Sequence, residues 1–302
     1  MDLESFNTSR ESLVPLLALN NKSNKNIIIF PTDKEAIEFS TDFSNLNKDI
    51  YHLPSWDTLS YDSFAPSLDI QGKRLEIAHL LLTTDTYNIA TSIKAIAQRI
   101  YFEELEICNI SLNEEIDFDL LIENLIHLKY QRKDRVESKG SFAIRGGQLD
   151  VFPINYDIPL RVIFDGDLVN EIKTFDTISQ RSISEKSNFL VVPATELFQI
   201  QQSDILNLSS HNKENLDDYE LFQYSQNLDL EKCLLDLTSK ATLHIVDKNL
   251  VDNQLKEIID IEKDTFENLK QYFSLEIRNF KSRYKDISKY FGEYDINFYS
   301  TS

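Results

Sequence analysis

The sequence predicts an α/β protein in which a parallel-sheet lobe is interrupted by a small antiparallel α+β subdomain. Strand-like and helix-like patterns alternate over the first hundred residues, the order that builds parallel sheets through helical crossovers. Four strand-like runs then follow one another from residue 142 to 175 with only turns between them. Beyond about residue 195 the helix and strand patterns return. The expected divisions are 1–108 for the α/β part, 109–195 for the inserted subdomain and 196–302 for the return to the α/β part.

Taken in order, Thr8 or Ser9 can cap a short helix carrying Leu13, Leu16 and Leu17, with Pro15 suited to its first turn. Asn26 to Phe30 reads as a buried strand closed by Pro31. Thr32 or Asp33 caps a helix over 34–46 with Ala36, Ile37, Phe39 and Phe43 inward. Ile50 to Leu53 is a further strand, and 54–69 a loop. Leu75, Ile77, Ala78 and Leu81 mark the inner face of the next helix. Tyr87 to Ala90 is a strand, and Thr91 or Ser92 caps a short helix through Ala97. Asp117 starts an amphipathic helix with Phe118, Leu121, Leu125 and Leu128 at helical spacing. The meander strands are 142–145, 148–153, 159–164 and 168–175, with Asp165-Gly166-Asp167 as a turn. The acidic stretch 207–229 reads as a loop, and 241–246 as a strand. Asp247 is placed to cap a long helix over 248–272, and 296–299 is a last strand. A strand so close to the final residue is expected where a longer chain has been cut.

A length of 302 residues exceeds the usual single core, and 41% hydrophobic content with 13 Tyr and 19 Phe supports folded cores. Fifty acidic against 31 basic residues give a net charge of −19, so the surface as a whole repels a phosphate backbone. Cys108 and Cys233 lie 125 residues apart and are expected as buried free thiols. The first residues lack a signal-peptide pattern and no apolar run reaches membrane-spanning length, so a cytoplasmic protein without membrane contact is expected.

The densest signal is Gly140-Ser-Phe-Ala-Ile-Arg-Gly-Gly-Gln-Leu-Asp-Val-Phe-Pro153, two short strands joined by a Gly146-Gly147 hairpin turn. This stretch resembles the GEFxxRGGxxDxFP signature shared by the excision-repair protein UvrB and the transcription-repair coupling factor, Mfd. Its structural positions here are Gly140, Phe142, Gly146, Gly147, Asp150, Phe152 and Pro153. Pro159 to Phe164, Ile172 to Asp176 and Gln180-Arg181-Ser182 continue the family pattern in order, Arg181 being read as structural. The loop Pro54-Ser-Trp-Asp-Thr-Leu-Ser-Tyr-Asp-Ser-Phe, running on to Asp69-Ile-Gln-Gly-Lys-Arg-Leu75, resembles the coupling factor and leaves no room for UvrB's long DNA-clamping hairpin. The likeness covers roughly 25–195 and weakens beyond 200. Two features depart from it: residues 1–14 contain no glycine where the family has a segment descended from a phosphate-binding loop, and Asp165 stands where some members carry an aromatic residue.

The resemblance implies a degenerate helicase-like (RecA-type) lobe carrying an inserted subdomain that docks on UvrA. It implies partner contacts at Arg145 and Arg161, with Phe164 and Asp165 beside them. The residues themselves leave open a salt bridge from these arginines to Asp150 or Asp165. Residues 129–146 carry a local balance of +4 on an acidic background, which suits bidentate recognition of carboxylates.

No phosphate-binding G-x-x-x-x-G-K-[ST] motif occurs, and Gly72-Lys73-Arg74 lacks both its first glycine and its hydroxyl. The chain is therefore expected to have no ATPase activity, no catalytic residue and no cofactor. ATP and magnesium are expected only for a motor C-terminal to residue 302. The five histidines show no metal-ligand spacing. Acidic runs at 114–123 and 252–267 are expected as solvated helix faces. The basic and aromatic stretch 270–289 reads as a helix with a packed aromatic face and a solvated basic one, against the alternative of single-strand binding. The expected function is recruitment of UvrA to RNA polymerase stalled at DNA lesions, with polymerase and DNA bound through other domains. The alternatives are a piece of an ATP-driven DNA translocase or helicase, and a UvrB-like direct binder of damaged DNA.

Overall fold

The computed structural model describes residues 5–8, 12, 23–46, 48–206, 216–225, 228, 231–238, 241–272, 280–288, 290 and 293–301. The chain folds as two compact units. The first takes Met1–Pro66, Ile77–Tyr101 and Ile200–Ser302, and the second Ser67–Glu76 and Phe102–Gln199. Residues Ser67–Glu76, placed in the α/β part from sequence, pack with the second unit.

In chain order the elements begin with β1 (Ser5–Thr8), β2 (Lys25–Phe30), α1 (Asp33–Ser44), β3 (Tyr51–Leu53), α2 (Leu68–Thr83), β4 (Tyr87–Ser92) and α3 (Ile93–Ala97). There follow β5 (Cys108–Ser111), α4 (Phe118–His127), β6 (Gln131–Arg132), β7 (Ser141–Arg145), β8 (Gln148–Phe152), β9 (Leu160–Asp165), β10 (Leu168–Phe175), β11 (Ser182–Glu185) and β12 (Asn188–Val191). The last are α5 (Gln202–Leu206), α6 (Asp218–Ser225), β13 (Thr242–Val246), α7 (Lys248–Leu269) and β14 (Asp295–Thr301).

The first unit is built on a six-stranded, all-parallel sheet in the order β1-β14-β13-β2-β4-β3. Its strand β2 is apolar along nearly its whole length because both faces are covered, as parallel sheets require. α1 starts at a capping box: Glu35 N–H donates to Thr32 Oγ1 at 3.3 Å, and Thr32 N–H to Glu35 Oε2 at 3.1 Å. Ala36, Phe39 and Phe43 face the sheet, whereas Ile37, expected inward, is 48% exposed. The expected cap at Asp247 does not form. Asp247 adopts a left-handed conformation (φ 53°), and its carboxylate instead accepts the Thr301 N–H at 2.7 Å, tying β13 to β14. Of the expected acidic loop, residues 218–225 form α6 with Phe222 and Tyr224 buried, since these aromatics give it an apolar face. Residues 207–215 of that loop lie outside the described residues, as do Leu13, Leu16 and Leu17 of the short helix expected after Thr8 or Ser9; Thr8 itself ends β1.

A buried polar chain crosses the centre of this sheet. Asn26 donates through Nδ2 to Ser23 and Asn88, which leaves its Oδ1 to accept from His244 Nε2 at 3.1 Å. His244 Nδ1 then accepts from the Tyr299 hydroxyl at 3.1 Å. Burial lowers the His244 pKa to about 4, so the folded ring is neutral. Unfolded chains take up a proton as pH falls through the ordinary value of 6.5, and folded ones resist it until about 4. The stabilisation is therefore complete above pH 6.5 and is lost between 6.5 and 4, amounting to about 3 kcal/mol. Urea denaturation of the protein and a His244→Gln variant, compared at pH 7 and pH 4.5, is expected to show a steeper acid loss in the unmodified protein. Equal losses would refute this.

The second unit carries a six-stranded sheet in the order β11-β10-β9-β8-β7-β6, antiparallel except for the parallel β6–β7 pair, and a two-stranded β5–β12 ribbon. The four expected meander strands are present; the short edge strands β6 and β11 are additional. Asp117 caps α4 by accepting the Leu120 N–H at 2.9 Å, and Leu121, Ile122 and Leu125 are buried. The segment that carries Asp69, Gly72 and Arg74 locks into this unit. A Cβ on Gly72 would lie 2.5 Å from the Ile154 carbonyl oxygen, so only glycine allows the approach. Lys139 reaches Asp69, and Arg74 Nε donates to Glu196 Oε1 at 3.0 Å. The helix residues that resemble the coupling-factor motif thus act as structural clasps. No helix among the described residues is long and apolar enough to cross a membrane.

Candidate protein-docking sheet

The register of the second unit's sheet assigns its two faces. Phe142, Val151 and Leu160 share a cross-strand row, as do Ile144, Leu149, Val162 and Ile172, and these rows form the apolar side. On the opposite face Ala143, Asp150, Arg161, Lys173 and Glu185 form one row, and Arg145, Gln148, Ile163 and Glu171 the next. Sequence alternation thus separates a packed face from a polar one.

The hairpin that joins β7 to β8 needs both glycines, for different reasons. Gly146 has φ 60°, while Gly147 has no positive φ. A Cβ on Gly147 would sit 2.9 Å from the Phe164 carbonyl oxygen, which Gly147 approaches closely enough to accept the Phe164 N–H at 2.8 Å. Positive φ at the first central residue only is the pattern of a type II′ turn. The β9–β10 turn at Gly166 lies at the same end of the sheet.

Arg161 is committed within the unit. Its Nε and Nη2 donate to Asp150 Oδ1 and Oδ2 at 2.7 and 2.8 Å, its Nη1 to the Gln180 carbonyl at 3.1 Å, and its plane lies 4.5 Å from the Phe175 ring centroid. Its side chain is 13% exposed and that of Asp150 3%. Hydrogen bonding to Asp150 raises the guanidinium pKa further, so Arg161 stays charged. The internal salt bridge left open from sequence is therefore the one this arginine makes. Arg145, by contrast, is exposed and makes one hydrogen bond, from Nη2 to the Asp134 carbonyl at 3.2 Å. The two arginines do not lie side by side: β8 separates their strands, and two strand spacings with two residues of offset put their Cα atoms roughly 12 Å apart.

Phe164, expected at the contact, is 7% exposed, its ring 4.9 Å from that of Phe118 in an edge contact. Asp165 is exposed at the turn. Phe142, Phe152 and Pro153 are buried, and Gly140 is half-buried with φ 76°. Val136, Ala143, Phe152 and Phe175 form a small cluster over one end of the polar face. The Arg181 side chain, expected to be structural, is exposed; its backbone carbonyl closes the β10–β11 turn. Of the 129–145 cations, Lys139 is turned inward and Arg135 binds the carbonyls of Thr177 and Ile178.

Two other sequence signals resolve as packing in the first unit. Trp56 is 1% exposed, stacked near Tyr101, edge-on to Phe222 and under the Arg283 guanidinium at 5.1 Å. Residues 280–287 are irregular rather than helical, and Arg283 and Lys285 are 3% and 7% exposed. They face Glu262 and Asp236 and do not present a solvated basic face. Glu262, in a run expected to be solvated, is buried and accepts from Ser60, Ser282 and the Arg283 N–H. Its spacing with Phe266 on α7 was the available signal. Cys108 and Cys233 are free and buried, and no group of three metal-ligating residues occurs among the described residues.

Residues 108–197 match the family described as the UvrB interaction domain. The chain is similar to the transcription-repair-coupling factor of Mycobacterium bovis, 31% identical over 169 residues, covering 53% of this chain and 14% of that protein. The corresponding protein of Bacillus subtilis is 26% identical over 287 residues, 82% of this chain and 24% of its own length. UvrABC system protein B of Lactobacillus johnsonii is 25% identical over 172 residues, 56% of this chain and 26% of that protein. The chain thus aligns with a quarter or less of the coupling factors named here. The likeness to the UvrB-like N-terminal region of the coupling factor, read first from the 140–153 signature, holds in these comparisons.

Proposed function

We propose that this chain is a recruitment module of nucleotide excision repair, in which the polar face of the second unit's sheet binds UvrA. One observation carries this reading: Arg145 stands exposed beside a rigid hairpin, in the segment that matches the UvrB interaction domain. A guanidinium held at a sheet edge suits fork-like contact with a carboxylate on a partner. In this reading Arg161 and Phe164 hold the surface in shape, and Arg145 and Asp165 meet the partner.

The first unit is, in the same proposal, a helicase-like lobe without nucleotide hydrolysis, working without cofactor. Two features support that. The β2–α1 junction contains no glycine, and its helix N-terminus is closed by the Thr32–Glu35 capping box. Asp33 at that terminus accepts the hydroxyls of Ser55 and Ser92 at 2.6 and 2.7 Å, which puts a carboxylate where a phosphate would need to approach. Motor activity driven by ATP and magnesium, and binding of RNA polymerase and DNA, are proposed for other parts of a longer coupling factor, acting in the cytoplasm.

Calorimetric titration of UvrA into the 302-residue chain without ATP tests the site. Arg145→Glu is expected to raise the dissociation constant at least about tenfold while leaving the unfolding temperature unchanged, as loss of an exposed charge-assisted contact does. It is a cleaner probe than any change at Arg161, which would break a buried pair. Undiminished binding would remove Arg145 from the interface. Saturable ATP binding by this chain would overturn the non-catalytic part.

A further inference from the structure

The turn between β10 and β11, residues 176–181, is exposed yet heavily restrained. Asp176 Oδ1 accepts the Ser179 N–H at 2.7 Å, and these bonds from Ser179 hold its carboxyl below the usual range. Gln180 N–H donates to the Asp176 carbonyl at 2.8 Å, and Asp176 N–H to the Arg181 carbonyl at 3.0 Å. Two guanidiniums hold the turn from outside. Arg135 Nη2 donates to the carbonyls of Thr177 and Ile178 at 2.6 and 2.7 Å, and Arg161 Nη1 to that of Gln180. Gln180 has φ 60°, a left-handed conformation that a non-glycine residue adopts at a cost and keeps only when its surroundings over-determine it.

These restraints fix one side chain in solvent. Ile178 is 85% exposed, far more than any other large apolar residue of this unit. A lone exposed isoleucine on a mobile loop would mean little. This one is presented by a backbone held on both sides, and Ile183, 59% exposed, follows on the edge strand β11. β11 has no further strand beyond it among the described residues. The turn's charged neighbours are Arg135, Arg161 and Arg181 against Glu137, Asp150 and Asp176; Arg135 lies 3.6 Å from Glu137 and Arg161 pairs with Asp150, whereas Arg181 is exposed with no ion pair among the described residues.

We propose that this turn is an anchor of the protein interface: Ile178 enters an apolar slot on UvrA, and an acidic side chain rimming that slot faces Arg181. The inference rests on the docking role assigned to this sheet, and adds an apolar contact that Arg145 cannot supply. Buried apolar anchors ringed by charge are the usual source of interface affinity.

The test titrates UvrA into the 302-residue chain carrying Ile178→Asp, Ile178→Val or Arg145→Glu, at low and high salt. Ile178→Asp is expected to weaken binding at least about tenfold and Ile178→Val no more than about threefold, with unfolding temperatures unchanged. Steeper weakening with salt in the unmodified chain than in an Arg181→Gln variant supports the acidic rim. If Arg145→Glu weakens binding and Ile178→Asp does not, the anchor is refuted while the docking role stands. If Ile178→Asp alone weakens it, the anchor holds and Arg145 leaves the interface. If UvrA binds no form of the chain, both the docking role and the anchor fall.

Discussion

Arg74→Ala is expected to destabilise the second unit by about 3–5 kcal/mol, because it removes one partner of a buried ion pair and leaves the other charge in place. The Arg74 and Glu196 side chains are 1% and 2% exposed, and Glu196 is positioned further by its backbone N–H, which donates to Gln71 Oε1 at 2.9 Å. Breaking such a pair costs far more than the pair contributes, since a desolvated carboxylate has no water to return to. Replacing both partners at once, Arg74→Met with Glu196→Leu, is accordingly expected to recover most of the loss. Thermal and urea unfolding of the two variants and the parent measures this. A single variant within about 1 kcal/mol of the parent, the size of an exposed pair, would refute the buried assignment.

Glu262→Ala is expected to be comparably severe in the first unit, about 3–5 kcal/mol, for a related reason. One carboxylate accepts from Ser60, Ser282 and the Arg283 backbone, and its Oε1 lies 3.7 Å from Arg283 Nε. Arg283 is itself buried over Trp56, so the loss of Glu262 leaves a cation in an aromatic enclosure without its counter-charge. Glu262→Gln, which keeps the shape and part of the hydrogen bonding, is expected to cost less, about 1–3 kcal/mol. Near-equal losses for Ala and Gln would mean that charge, not hydrogen bonding, dominates. A negligible loss for both would refute the hub. Neither Arg74 nor Glu262 is expected to alter UvrA affinity once the chain is folded, which separates these residues from Arg145 and Ile178.

The α/β pattern, the parallel strands β2, β4 and β13, and the four-strand meander were legible in the sequence because each is a local property. An apolar run, a two-residue alternation or a Gly-Gly turn needs no distant partner to be recognised. The Thr32, Ser92 and Asp117 caps were legible for the same reason. Asp247 failed as a cap because β14, about fifty residues further along, offered its carboxylate two donors on Thr301.

What only the tertiary structure decided is where charge ends up. By sequence alone Arg145 and Arg161 were equivalent arginines of one signature. The register places Arg161 opposite Asp150, where desolvation favours pairing, and leaves Arg145 at the exposed end of its strand. Glu262 and Arg283 looked like members of solvated charge runs, because periodicity reports the average face and not the single buried polar position on it. Ile178 carried no signal at all, since its exposure depends on two arginines, one about 40 residues earlier and one in a strand two places along the sheet. The sequence determined which elements form and which family they resemble. The long-range contacts determined which of its charged residues are structure and which remain to meet a partner.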